Sequence, residues 1–223
     1  MKISSFLIIT LAAGALAAQD APKLDGRVQV FAELYRPAQI VVAQNPGDLN
    51  DQPGRQTGVG FRFLGEIASH PGWYYELGGM LDASSNFKIS SPGVIDLTSV
   101  KVTDSYWALG AAYMGRFGEH LTLGAHLEGR GEYLRIQGEA LVNGAATQVD
   151  QGTTYLRPWV RGSADYTFTS IGKENHPYIG VEAAYAITKT SQTRTPDFTN
   201  MDNRTLDSLA PKASAALYAG IRF

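Results

Sequence analysis

Residues 120–133, HLTLGAHLEGRGEY, alternate between apolar or small side chains and polar side chains at every second position. The odd positions run from Leu121 to Tyr133 without a charge, whereas the even positions include His126 and Glu128. A period of two is the side-chain period of a β-strand, because successive residues point to opposite faces. The stretch therefore predicts a strand with one apolar face and one densely charged face.

Eight stretches of the chain have this period, and none has the three-to-four-residue period of an ordinary helix. The predicted strands cover residues 27–36, 57–67, 73–83, 105–116, 120–133, 154–168, 178–188 and 211–223. The connectors are long at 37–56, 84–104, 134–153 and 189–210, and shorter at 68–72, 117–119 and 169–177. This pattern predicts antiparallel hairpins with a tight end and an elaborate end.

Two of the long connectors leave the strand count open between eight and ten. Residues 134–153 could extend the neighbouring strands into one long hairpin around Asn143 and Gly144, a dipeptide typical of tight hairpin turns. The segment AQIVVAQ at 38–44 could contain a further strand. Within the strand at 154–168, Pro158 predicts a β-bulge, because proline removes a hydrogen bond from the ladder.

The two faces of the predicted strands differ sharply in charge. One face carries no Asp, Glu, Lys or Arg, and the other carries eight acidic and eight basic side chains. The charged face consists of Arg27, Glu33, Arg62, Glu66, Glu76, Asp82, Arg116, Glu128, Arg130, Glu132, Arg157, Arg161, Asp165, Glu182, Lys212 and Arg222. A soluble two-sheet sandwich would also alternate, with its charges in water.

The aromatic residues favour a membrane-spanning barrel over the sandwich. They lie at both ends of the strands, as the two aromatic girdles of a transmembrane barrel do. Trp73, Phe117, Tyr166, Phe168 and Phe223 lie beside the short connectors or the terminus, and Trp107, Tyr133 and Tyr185 lie near the long ones. Because a bilayer cannot hydrogen-bond a free strand edge, the sheet is expected to close on itself, with short turns in the periplasm and long loops outside.

The chain ends in AALYAGIRF, in which Ile221 and the terminal Phe223 lie on the apolar face. This ending resembles the last strand of bacterial outer-membrane barrels, whose carboxy-terminal aromatic residue is read by the barrel-assembly machinery. Over residues 25–223 the architecture resembles that of the small eight-stranded barrels, such as the transmembrane domain of outer membrane protein A and the opacity-type surface proteins. The resemblance implies an all-β, antiparallel up-and-down barrel. The sequence departs from the outer membrane protein A pattern by ending at the expected barrel, so anchoring to peptidoglycan is not carried over from the resemblance.

The amino-terminal segment predicts export. Lys2 precedes a short apolar run from Phe6 to Ala17 that ends in small residues, which is typical of a secretory signal peptide. We expect residues 1–17 to be cleaved and 18–223 to form a single transmembrane barrel domain in the outer membrane. The chain has no cysteine, which excludes disulfides and thiol chemistry, and it has no basic tract that would favour nucleic acid.

An eight-stranded barrel has an interior just wide enough for side chains to fill. We therefore expect the charged face to form a network of ion pairs along the axis, because an unpaired buried charge costs several kcal/mol. The candidate site residues are Arg62, Glu66, Glu76, Glu128, Arg130, Glu132, Arg157, Arg161, Asp165, Glu182 and Arg222. The expected pairs are Arg62 or Glu66 with Glu76, Glu128 or Glu132 with Arg157 and Arg161, and Asp165 or Glu182 with Arg222.

The balance of charge favours a structural plug over an ion path, since neither sign dominates as it would in a selective pore. His126 is interpreted as a packed lumen histidine, because no serine lies two residues from it on the same face. His70, His120 and His176 have no metal-ligand spacing, and no cofactor is expected.

These features predict a non-enzymatic outer-membrane protein that displays surface loops. Its expected partners are outer-membrane lipid, lipopolysaccharide and the assembly machinery, and its surface ligand stays open. A small porin or channel is the alternative, followed by a lipid-modifying enzyme and a soluble lipocalin-like binder.

Overall fold

The computed structural model describes residues 25–37, 56–91, 95–142, 145–169, 174–188 and 210–223. In these ranges the chain forms eight β-strands and no helix long and apolar enough to cross a membrane. The strands are β1 Gly26–Pro37, β2 Gln56–Glu66, β3 Trp73–Ser91, β4 Ile95–Phe117, β5 Leu121–Val142, β6 Ala145–Thr167, β7 His176–Ala186 and β8 Pro211–Arg222.

The eight strands close into a barrel in sequence order, which confirms the predicted all-β, up-and-down fold. Each strand pairs antiparallel with the next, and β8 pairs with β1 through a register that places Val30 opposite Ala219. Gly26 and Phe223 complete the closure by exchanging two backbone hydrogen bonds of 3.0 and 2.9 Å. Where all eight strands pair, the sheet has no free edge. The segment at 38–44 lies outside the described residues.

The strands β3 to β6 are longer than the sequence predicted. The expected loop at 84–104 is mostly strand, since β3 and β4 stay paired as far as Ser91 and Ile95. The β-branched residues of β4, such as Val100 and Val102, favour this extended conformation. The extension at 134–153 agrees with the hairpin expected around Asn143 and Gly144, because β5 ends at Val142 and β6 begins at Ala145.

Pro158 does not form the predicted bulge, because the β5–β6 register runs through Gly129 and Pro158 without a shift. The carbonyl oxygen of Pro158 accepts a hydrogen bond from the Ile187 amide at 2.9 Å, so its ring nitrogen also faces β7. The β6–β7 ladder ends at this point, at Trp159 and Ala186. The missing N–H therefore falls where the ladder stops, and the proline needs no bulge.

The outer surface of the barrel is apolar over a belt that ends at a definite level. Aliphatic and aromatic side chains on it are about half exposed, for example Leu109 at 55% and Leu127 at 57%. On the long-hairpin side, Trp107 and Tyr133 form the last apolar positions of β4 and β5, and Arg135 follows on the same face. At the opposite end are the exposed rings of Trp73, Phe117, Tyr166, Phe168 and Phe223. This is the girdle arrangement of a transmembrane barrel.

Beyond the belt, the polarity of the two faces reverses. The outer face of the extended hairpins is polar and includes an exposed ion pair in which Arg135 Nη2 lies 2.7 Å from Asp150 Oδ2. The inner face at the same level is apolar, and Val102 and Leu134 are each 1% exposed. The extensions are therefore built like a water-soluble sheet with an apolar interior.

Replacing Leu127 with Arg would place a charge in the middle of the belt. We expect it to lower the free energy of unfolding by about 2–4 kcal/mol, because Arg is costly on the lipid face at the bilayer midplane. Urea unfolding of the protein in phospholipid vesicles measures this change. The control is Thr154→Arg, since Thr154 lies opposite Tyr133 at the end of the belt, where the same change costs about 0–1 kcal/mol. Equal effects of the two substitutions would contradict the position of the belt.

Candidate functional site

The lumen contains two groups of buried charges. The lower cluster, toward the short turns, consists of Arg27, Arg62, Arg161, Glu76, Asp165 and Glu182. The upper cluster, toward the long hairpins, consists of Arg130, Arg157, Glu33, Asp104, Glu128 and Glu132. Each of these side chains reaches the axis because the alternating strand period points it inward.

In the lower cluster, two arginines and two glutamates form a closed circuit across four strands. Arg62 Nε lies 2.6 Å from Glu76 Oε1, and Arg62 Nη1 lies 2.9 Å from Glu182 Oε2. Arg161 contacts the same two carboxylates, with Nη1 2.5 Å from Glu182 Oε2 and Nη2 beside Glu76 Oε1. Charge-assisted hydrogen bonds of this kind are the strong ones, and here they tie β2, β3, β6 and β7 together.

The third pair of the lower cluster joins strands on opposite sides of the barrel. Arg27 Nη1 lies 2.9 Å from Asp165 Oδ2, and its guanidinium carbon lies 4.8 Å from the centre of the Tyr178 ring. Tyr218 donates its hydroxyl to Asp165 Oδ2 at 3.4 Å. The lower cluster therefore has three guanidiniums for three carboxylates.

The upper cluster is built around two arginines that lie against aromatic rings. Arg130 donates Nε to Glu128 Oε1 at 2.6 Å and Nη1 to Glu33 Oε1 at 2.9 Å. Its guanidinium carbon lies 4.2 Å from the ring centres of both Tyr106 and Trp159. This stacking replaces part of the hydration that Arg130 loses on burial.

Arg157 and Trp159 both donate to one carboxylate of the upper cluster. Arg157 Nη2 lies 2.6 Å from Glu132 Oε2, and Trp159 Nε1 donates to Glu132 Oε1 at 2.6 Å. Arg157 also donates to the Pro211 carbonyl at 2.7 Å, which connects β6 to the start of β8.

Arg222 and Glu66 lie at the rim near the short turns, and the expected pairing of Arg222 with Asp165 or Glu182 is wrong. Arg222 Nε donates to Asp25 Oδ1 at 2.9 Å, because the end of β8 is level with the residue before β1. Glu66 accepts the amides of Asp25 and Gly72 at 3.2 and 2.9 Å. These contacts fasten the closing strands at the rim.

Asp25 itself was missed because it precedes the first alternating stretch. It accepts hydrogen bonds at Oδ2 from Tyr74 Oη at 2.7 Å and from Arg116 Nη2 at 2.8 Å, in addition to Arg222. Arg116 was expected in the lumen and is half exposed at this rim, while Lys212 is exposed near the start of β8. The side chain of Asp82 lies outside the described residues.

His126 has a serine neighbour that comes from another strand. Its Nε2 lies 2.9 Å from Ser163 Oγ, and its Nδ1 lies 2.9 Å from Glu76 Oε2. The β5–β6 register produces this contact by placing Ser163 opposite Gly124, two residues before His126. The order Ser–His–carboxylate matches that of a hydrolase triad. However, His126 is 6% exposed, and Glu76 is held by Arg62 and Arg161.

The lumen has little free space beside the upper cluster. The cavity that borders the upper cluster has a volume of about 10 Å³ and is lined in part by Glu33, Asp104, Arg130 and Glu132. Such a volume is room for about one water molecule. Apolar residues close both ends: Leu64, Tyr74 and Met114 below, and Val102 and Leu134 above. Among the described residues, no group of three or more His, Cys, Asp or Glu is placed to hold a metal ion.

Comparison with solved structures finds similarity to bacterial outer-membrane proteins. The attachment invasion locus protein Ail of Yersinia pestis aligns over 91% of this chain and 100% of its own, at 11% identity and a TM-score of 0.46. OprG of Pseudomonas aeruginosa aligns over 89% of this chain and 95% of its own, at 12% identity and a TM-score of 0.45. A major outer membrane protein of Thermus thermophilus aligns over 89% of this chain and 99% of its own, at 11% identity and a TM-score of 0.49.

The chain has the fold of the small eight-stranded outer-membrane barrels. The closed strand order, the exposed apolar belt and the buried charges carry this assignment. No protein-family model matches the sequence, and no curated protein matches it.

Replacing Arg161 with Leu tests the buried circuit. We expect the free energy of unfolding to fall by about 3–5 kcal/mol, because Glu76 and Glu182 would each lose a buried partner. Urea unfolding in vesicles measures the loss. Arg135→Leu removes an exposed pair of the same type and is expected to cost less than about 1 kcal/mol. If the two variants were equally stable, the lumen network would not hold the barrel together.

Proposed function

We propose that the protein is a non-enzymatic integral protein of the outer membrane, in which a closed barrel holds extracellular segments at the cell surface. The main support is the packed lumen, in which both charged clusters are buried, apolar residues lie at both ends, and the cavity beside the upper cluster has a volume of only about 10 Å³. A barrel whose described interior is filled in this way is expected to act through the segments at its ends.

The extended hairpins support display on the outer side. The strands β3 to β6 continue past Trp107 and Tyr133 and carry polar side chains such as Lys101, Arg135 and Asp150 on their outer face. In transmembrane barrels the short turns lie in the periplasm and the long connections lie outside. The hydrogen-bonded sheet gives the connections at its tips a rigid base, and binding functions are commonly found on such connections.

Export and assembly complete the proposal. Residues 1–17 act as a cleaved signal peptide, and Ile221 and Phe223 present the terminal apolar face that the assembly machinery reads. Both side chains face outward from the barrel, with exposed fractions of 49% and 42%. Outer-membrane lipid and lipopolysaccharide cover the apolar belt.

The Ser163–His126–Glu76 arrangement does not favour an enzyme. A serine nucleophile needs a substrate carbonyl within reach and a cavity that admits it. His126 and Glu76 are buried inside the barrel, and the two arginines on Glu76 stabilise its charge for a structural purpose. Glu76 belongs to the lower cluster, and His126 and Ser163 serve here as its hydrogen-bonded neighbours.

Cysteine labelling on intact cells tests display and orientation, since the chain has no cysteine of its own. We expect Lys101→Cys, on the outer face of the hairpin extension, to react with a membrane-impermeant maleimide. The matched control is Gly118→Cys in the short β4–β5 turn, at the opposite end of the barrel. Gly118 has a positive φ of 70°, so Glu119→Cys is the second control where the first variant folds poorly. If the short turn were labelled on intact cells and the hairpin were not, the barrel would have the opposite orientation in the membrane.

Planar-bilayer recording separates the closed barrel from the alternative of a small channel. We expect no reproducible conductance, because Arg130 is fixed by an ion pair to Glu33 across the lumen and Arg157 by an ion pair to Glu132 of the neighbouring strand, and both lie near an apolar layer. A steady conductance in the wild-type protein that changes in Arg157→Ala and in Glu128→Ala would establish the channel instead.

A further inference from the structure

The two charged clusters of the lumen differ in their balance of charge. The lower cluster has three guanidiniums for three carboxylates. Among the described residues, the upper cluster has two guanidiniums, Arg130 and Arg157, for the four carboxylates of Glu33, Asp104, Glu128 and Glu132. Arg161 of the lower cluster lies 3.6 Å from one of these carboxylates, Glu128, as expected from the sequence. All six residues of the upper cluster are at most 2% exposed, so bulk water does not compensate the excess.

Asp104 is the carboxylate without an arginine of its own. Glu33 and Glu128 share Arg130 at 2.9 and 2.6 Å, and Glu132 lies 2.6 Å from Arg157. Oδ1 of Asp104 is buried and has no hydrogen-bond partner within the part of the chain that the structure describes. A buried carboxylate in this position would be both desolvated and repelled by its neighbours.

The surroundings of Asp104 include acidic groups from two neighbouring parts of the barrel. Asp104 pairs with Leu134 in the β4–β5 register, so Glu132 is its diagonal neighbour on the same face. The small cavity beside Asp104 is also bordered by Glu33 from β1. The remaining groups around it are Arg130 of β5, Tyr155, Arg157 and Trp159 of β6, Tyr106 of β4, Met80 of β3 and Pro211 of β8.

The cavity beside Asp104 is too small for most groups that could neutralise a charge on its carboxylate. Its volume of about 10 Å³ holds at most about one water molecule, and a water molecule does not neutralise a carboxylate. The described carboxylates do not converge as the ligands of a metal ion. A proton needs no volume and removes the charge outright.

We propose that the upper cluster is a proton-binding site, in which Asp104 is a neutral carboxylic acid in the folded barrel at neutral pH. The proton comes from solvent during folding, and its release leaves a carboxylate beside Glu132 and Glu33. The charge that then appears beside Leu134, next to the apolar layer that Leu134 and Val102 form, weakens the long-hairpin end of the lumen. The site makes the stability of this end depend on pH.

Infrared spectroscopy of the protein in vesicles tests the site directly. A protonated carboxylic acid has a carbonyl band distinct from that of a carboxylate. We expect this band in the wild-type protein at neutral pH and its loss in Asp104→Asn. Asp150→Asn is the control and is expected to keep the band, since Asp150 is exposed and its pKa is lowered by the hydrogen bonds from Arg135. The absence of the band from the wild type, or its persistence in Asp104→Asn, would overturn the proposal.

The pH dependence of unfolding gives a second readout. The folded state binds one more proton than the unfolded state above the usual titration range of aspartate, so stability falls as the pH rises. We expect the wild-type unfolding constant to increase by about tenfold per pH unit relative to that of Asp104→Asn, up to the pH at which the band disappears. Parallel profiles of the two proteins would contradict the site.

A third variant and a change of salt show whether a proton or a metal cation neutralises Asp104. Glu132→Gln removes one neighbouring charge, so we expect the wild-type band to be lost at a lower pH in this variant. All measurements are repeated with potassium in place of sodium. A band that is missing in sodium and appears only when sodium is removed would assign the site to a metal cation and overturn the proton.

Discussion

The structure depends on one constraint, which is that a strand in hydrocarbon has no water to satisfy its backbone. Every N–H and C=O must then find a partner within the sheet, and only closure provides one for both edges. The β1–β8 register and the paired hydrogen bonds between Gly26 and Phe223 meet that requirement. Closure in turn encloses one face of every strand, so the charged face that could have faced water in an open sheet has to be neutralised along the axis.

The ion pairs of the lumen are consequences of that enclosure. Arg27 and Asp165, and likewise Arg62 and Glu182, belong to strands that are not neighbours, and they meet across the axis because the barrel is narrow. The stacking of Arg130 between Tyr106 and Trp159 fills space that smaller polar groups would leave open. A lumen packed in this way stabilises the barrel, and the same packing is the basis for the non-conducting barrel that we propose.

The strands β3 to β6 pass from the hydrocarbon of the bilayer into water along their length. Within the belt their outer side chains are apolar and their inner ones charged. Past Trp107 and Tyr133 the arrangement reverses, with Arg135 outside and Leu134 inside. The backbone conformation of the strand does not change at this point. The polar residues move from the inward-pointing positions to the outward-pointing ones, and the apolar residues move the other way. The upper cluster lies close to this reversal, where Asp104 is covered by the apolar layer.

The sequence by itself determined the strand period, the closed all-β fold and which face carries charge, because these follow from local alternation and from the cost of a free edge in lipid. The choice between eight and ten strands was left to the structure. The sequence also placed Arg62 near Glu76 and Glu132 near Arg157, since these lie on consecutive or adjacent strands. The other contacts of these side chains were decided only by the tertiary structure. The register brought Ser163 to His126 and Arg222 to Asp25, and the barrel's curvature joined strands far apart in sequence. Alternation fixes the direction of a side chain, whereas its partner depends on register and curvature, which no local pattern encodes.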